Sequence, residues 1–65
     1  MKLIDLLNVI DNRELVLVYN SVNGKMFYDT VKECKFELVA YMNKKVEEIE
    51  YSELDDCLID IRIEY

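Results

Sequence analysis

Apolar residues fall at helical spacing near the start of the chain. Leu3, Leu6, Leu7 and Ile10 stand at i, i+3, i+4 and i+7, which predicts a short helix over residues 2–10. Asp5 sits in its first turn, where a carboxylate complements the helix dipole. Asp11 and Asn12 follow as its stop, Asn being tolerant of the left-handed conformation that ends many helices. The pattern then changes. Leu15, Val16, Leu17, Val18 and Tyr19 form an unbroken apolar run, and a strand is predicted over 14–20. A run without alternation implies a strand covered on both faces. Asn23-Gly24 is a hairpin signal, because both residues accept positive φ. The return strand is placed at 25–29, with Met26 and Tyr28 on one face and Phe27 on the other.

Thr30-Val31-Lys32-Glu33 matches the capping box, so a second helix is expected over 31–42. Val31, Cys34, Leu38 and Tyr41 or Met42 make its apolar stripe. Asn43 is the expected C-cap, with Lys44 and Lys45 at the negative helix end. A third strand is predicted over 46–51 and a polar turn over 52–56. The last strand, 57–65, alternates strictly: Cys57, Ile59, Ile61, Ile63 and Tyr65 on one side, Asp60, Arg62 and Glu64 on the other. Such alternation puts one face in the core and the other in water.

The element order is α-β-β-α-β-β. It predicts a single α+β domain over residues 1–65, with a four-stranded, mostly antiparallel sheet and the second helix packed on one face. The first helix should cap an end of that face or cover part of the other. Two short helices cannot cover both faces of four strands. If Leu15, Val16, Leu17, Val18 and Tyr19 are buried on both sides, a second copy of the chain can supply the missing cover. The competing reading leaves Val16 and Val18 exposed.

Composition narrows the picture. Leu, Ile, Val and Phe number 23 of 65 residues, too many for a disordered chain. A domain this short buries only ~60% of the surface its unfolded form exposes, so its stability is thin. Met1-Lys2 leads straight into Leu3-Ile4-Asp5, which does not read as a signal peptide, and no apolar run approaches the ~20 residues of a membrane span. A cytoplasmic location with no membrane partner is expected. Cys34 and Cys57 are then reduced thiols on core faces rather than a disulfide or redox pair. Two cysteines without histidine do not make a zinc site.

The absence of histidine removes the usual general base and the commonest metal ligand. A domain this small also has little volume for a pocket. The sequence therefore points away from an enzyme and implies no cofactor. An enzymatic alternative would rest on carboxylate or thiol chemistry around Asp55, Asp56 and Cys57. Glu53, Asp55 and Asp56 could hold a hard cation, but a calcium loop turns on a glycine that this segment lacks. The competing reading is a solvated turn.

Charge is the most uneven property of the chain. The net charge is −6. Residues 1–45 carry seven basic and six acidic side chains, whereas residues 46–65 carry eight acids against Arg62 alone. Phosphates would be repelled, so direct nucleic-acid binding is not expected. A basic protein surface would be attracted. Glu48 and Glu50 share a strand face, and Asp60 and Glu64 share the outward face of the last strand. Together with Glu53, Asp55 and Asp56 they form the candidate partner-binding array. Its competing reading is a solvated sheet face that confers solubility. Five tyrosines, Tyr19, Tyr28, Tyr41, Tyr51 and Tyr65, fit either an interface or the edge of a core.

The succession Leu3-Ile4-Asp5-Leu6-Leu7-Asn8-Val9-Ile10-Asp11, Asn23-Gly24, Met26-Phe27-Tyr28, Val46-Glu47-Glu48-Ile49 and Leu58-Ile59-Asp60-Ile61 resembles small uncharacterised proteins of phages and mobile elements of low-GC Gram-positive bacteria. The likeness extends over nearly the whole chain but transfers no functional residues. It implies a phage or prophage inhibitor of a host defence protein, of the anti-CRISPR or anti-restriction type. The alternative is a self-associating structural or accessory protein with no inhibitory role.

Overall fold

The computed structural model describes residues 1–53 and 56–65. The elements run α1 (Leu3–Leu7), β1 (Leu15–Tyr19), β2 (Met26–Thr30), α2 (Val31–Glu37), a 3₁₀ turn (Val39–Tyr41), β3 (Glu48–Tyr51) and β4 (Cys57–Arg62). The α+β class and the α-β-β-α-β-β order are as the sequence predicts. The strands form one sheet in the order β2-β1-β4-β3. Each hairpin pairs antiparallel, and the two hairpins join through a parallel β1–β4 pairing at the centre. The sheet is therefore mixed but mostly antiparallel.

Both helices pack on the same face. Leu3, Leu6 and Leu7 of α1 meet Val31, Cys34 and Leu38 over Val16, Val18, Ile61 and Ile63. No helix of the described residues is long and apolar enough to cross a membrane. Five residues are too few for a helix to persist alone. α1 is held by its leucines and by two of its first amides: Leu3 N donates to Lys44 O and Ile4 N to Met42 O, both at 2.9 Å. The Asp5 carboxylate accepts from Lys2 N at 3.2 Å. The helix stops short of residue 10 without a left-handed residue, since Gly24 alone among the described residues has positive φ. The Asp11 side chain instead accepts from Arg13 N at 2.8 Å and turns the chain.

α2 is also shorter than its apolar stripe. At Leu38 the backbone leaves the helical region, and Tyr41 N bonds to Leu38 O, three residues back. The stripe survives the change: Val31, Cys34 and Leu38 are buried, and Tyr41 and Met42 pack against them. Half of the capping box forms. Thr30 Oγ1 accepts from Glu33 N at 3.2 Å, while Thr30 N donates to Asp29 Oδ1 rather than to Glu33.

Two open alternatives are decided and one expectation needs correction. Val16 and Val18 are not exposed; they lie fully buried under the helices. α1 does not reach the far face of the sheet but shares the near one with α2. Cys57 is buried but stands outside the core cluster. The register moves from Leu15↔Cys57 to Val16↔Ile59, so Leu58 is an extra residue in β4. This bulge breaks the alternation and leaves Cys57 opposite Leu15 rather than beneath the helices.

Candidate functional site

The candidate site is the sheet face that neither helix covers. Register assigns its side chains, because directly paired residues point the same way. Two rows cross all four strands. One runs Tyr28–Leu17–Asp60–Glu50 and the other Met26–Tyr19–Arg62–Glu48. Each row is apolar or aromatic over β2 and β1 and charged over β4 and β3. Neighbouring strands lie ~4.8 Å apart, so the face changes from apolar to acidic within about 5 Å.

The apolar half includes Met26 and Tyr28, 67% and 47% exposed, with Leu15, Leu17 and Tyr19 on the central strand. Leu17 is only 8% exposed although no element lies over it, so its neighbours' side chains shield it. Tyr28 ionises above the usual tyrosine range, first through desolvation and then through the charges of Asp56 and Cys57. Leu58, at the bulge, is 42% exposed.

The charged half is built from Glu48, Glu50, Asp60 and Arg62. Arg62 Nη2 contacts Glu48 Oε2 at 3.2 Å. Glu50 stands beside Glu48 on its own strand and opposite Asp60 across the ladder. A hydrogen bond with Glu48 raises the Glu50 pKa most, followed by the charge of Glu48, desolvation and the charge of Asp60; Arg62 opposes them. Its acidic neighbours thus hold the Glu50 carboxyl above the usual carboxylate range. Asp60 Oδ1 and Arg62 Nε are buried and have no hydrogen-bond partner among the described residues. Such atoms are costly unless something else satisfies them.

The raised Glu50 pKa predicts a pH dependence. Between the usual glutamate value of ~4.3 and the raised value, the folded chain binds more protons than the unfolded one. Stability from this group is therefore present at the acid side and lost as pH rises through that window. Glu50→Gln should remove the slope. In urea titrations the variant should gain on the wild type from about pH 3.5 to about pH 7. A pH-independent difference would show that its neighbours do not hold the Glu50 carboxyl above its usual range.

The remaining predicted site residues are dispersed. Glu53 and Asp56 are exposed and lie within the connection between β3 and β4, and Asp55 lies outside the described residues. Glu64 is exposed beyond β4, beside Asn20, Asn23 and Lys44 in an open cleft of about 400 Å³. Among the described residues no group of three or more Cys, Asp or Glu side chains could hold a metal ion. Of the five residues expected to support self-association, Val16 and Val18 are interior, while Leu15, Leu17 and Tyr19 face the open side. β1 is paired along both edges, so it has no free edge for a second copy. Cys34 and Cys57 are free thiols. Desolvation pushes the Cys34 thiol up to about 11, and Cys57 Sγ donates to Ile59 O at 3.4 Å.

Periodicity marked Met26 and Tyr28 as sharing a strand face. Their alignment with Asp60 and Glu50 depends on which strands neighbour one another, and periodicity carries no signal for that. No family model matches the chain, and no curated protein or solved structure matches it.

Proposed function

We propose that the protein is a non-enzymatic binding module that takes a basic protein surface onto its uncovered sheet face. One observation carries this reading. Glu48, Glu50 and Asp60 stand together on adjacent strands with Arg62 as the cation among them, and Asp60 Oδ1 is buried without a partner among the described residues. A Lys or Arg from another protein would pair with these carboxylates and relieve the crowding that raises the Glu50 pKa. The apolar half of the face adds area that a docked surface removes from water. The resemblance to phage and mobile-element proteins supplies the biological setting: inhibition of a host defence protein in the cytoplasm of an infected or lysogenic bacterium.

The test starts with affinity capture from a host lysate and identification of the partner by mass spectrometry. Glu48→Lys, Glu50→Lys and Asp60→Lys together should then weaken binding by ~100-fold or more, with a smaller salt dependence for the variant than for the wild type. Circular dichroism checks that the variant is folded, and the isosteric Gln, Gln, Asn variant gives an intermediate loss. Unchanged affinity across both sets would exclude this face.

Self-association is the second reading. The exposed Met26, Tyr28 and Leu58 favour it, and a net charge of −6 on each copy opposes it. Light scattering that finds only monomer at high micromolar concentration removes it.

A further inference from the structure

β3 is an edge strand with a two-sided character. It pairs with β4 on one side, and its other edge is unpaired among the described residues. Glu48 and Glu50 point to the open face. Ile49 and Tyr51 point to the helix side, since they pair with Ile61 and Ile59. The helices do not reach far enough to cover them: Ile49 is 42% exposed and Tyr51 91%. An open groove of about 360 Å³ lies there, lined by Ile49, Glu50, Tyr51 and Ile59.

Edge strands are normally blunted by short length, charged side chains, proline, a bulge or a covering element. β3 has the first two, four residues with two glutamates, which guard against self-pairing but not against a basic strand. The segment Glu48-Ile49-Glu50-Tyr51 has no lysine and no proline, and its register with β4 runs without a shift. α2 packs on β2 at the opposite edge, whereas β3 lacks comparable cover.

We propose that β3 accepts an added strand from a partner, an extended segment that alternates basic and apolar side chains. The period of the strand dictates that alternation. A paired segment places every second side chain beside Glu48 and Glu50, where opposite charge is favoured, and the others over the groove at Ile49, Tyr51 and Ile59. A helix, with a period of 3.6, cannot meet both faces of an edge. Antiparallel pairing with a second β3 would set Glu48 and Glu50 against the same two acids, and directly opposed like charges are destabilising. The charge of the edge thus selects a basic partner and resists self-pairing. Four residues span ~13 Å, so a segment of six to eight residues reaches past both ends. This inference rests on the reading of the acidic face as a binding surface and specifies how that surface is engaged.

The test uses an acetylated, amidated octapeptide of alternating Lys and Val. Two N-methylated versions block alternate amides, one on each edge of the extended peptide. Strand addition requires one version to bind at least ~10-fold more weakly than the parent and the other to bind like it. It also requires slowed amide exchange and the largest NMR shifts within residues 48–51. Equal affinities for the two versions overturn strand addition, as do shifts centred on Met26, Tyr28 and Leu58, which report docking on the face. A concentration-dependent dimer with protected β3 amides also overturns the proposal, because the edge would then serve a second copy. Should the versions bind equally while the Glu48→Lys, Glu50→Lys, Asp60→Lys variant binds none of the peptides, the acidic face stands and only the strand mode fails.

Discussion

An Ile61→Ala variant will unfold at a urea concentration far below the wild type, with a loss of ~2–5 kcal/mol. Ile61 is fully buried in β4. It pairs with Val18 on the central strand and with Ile49 on the edge strand, and it packs beneath the leucines of α1 and the stripe of α2. Truncation removes three carbons from a site where strands on both sides are held by backbone pairing. The surroundings can close the cavity only partly. A chain of 65 residues has a total stability of ~3–10 kcal/mol, so this single loss consumes about a fifth of it or more. Circular dichroism through a urea titration should show a lower midpoint with little change in slope. Ile61→Val, which removes one methyl, should cost only ~0.5–1.5 kcal/mol. Similar midpoints for Ile61→Ala and wild type would show that the site at the β1–β4 junction collapses freely.

Asn20→Ala should destabilise the fold by ~1–3 kcal/mol, more than a surface substitution would. Asn20 is the one buried polar side chain among the described residues. Its Oδ1 accepts from Val22 N at 2.8 Å and from Asn23 N at 3.3 Å, and its Nδ2 donates to the main-chain oxygen of Tyr65 at 3.3 Å. Asn23 Nδ2 reaches the same oxygen at 2.9 Å. Tyr65 in turn donates from its hydroxyl to Val18 O at 3.0 Å and packs edge-on against Tyr41. The β1–β2 connection and the last residue of the sequence are therefore one polar network. Alanine at position 20 strips two loop amides of their acceptor and loosens Tyr65 together with them. Tyr65→Phe removes the Val18 bond alone and should cost less. The two substitutions should be non-additive, with a coupling of at least ~0.5 kcal/mol in a double-mutant cycle. Strict additivity would show that Asn20 shapes its loop independently of Tyr65.

Much of the architecture is legible in the chain because side-chain period reports backbone geometry. The spacing of Leu3, Leu6 and Leu7 and that of Val31, Cys34 and Leu38 describe helices. The alternation of Ile59, Ile61 and Ile63 describes a half-buried strand. Element order, class and the Thr30 cap follow from such local patterns, and so does the gathering of Glu48 and Glu50 on one face. Local pattern also overreached. The helical spacing ran past both helices, since residues outside a helix can keep the same buried stripe through 3₁₀ turns. Alternation placed Cys57 in the core, since a one-residue bulge leaves no mark on the sequence.

The candidate site belongs to the other level. Nothing in the order of residues states that β4 lies between β1 and β3, or that both helices choose one side. Those choices depend on non-local pairing, where the whole buried surface decides which strands meet and which face is covered. They turn an acidic C-terminal segment into something more specific: an uncovered sheet face whose apolar half adjoins Glu48, Glu50 and Asp60, and an edge strand that offers acids to one side and a groove to the other. The sequence by itself determined that the acids exist on strands of period two. Tertiary structure alone decided what stands beside them, because neighbours across a sheet are distant in the chain.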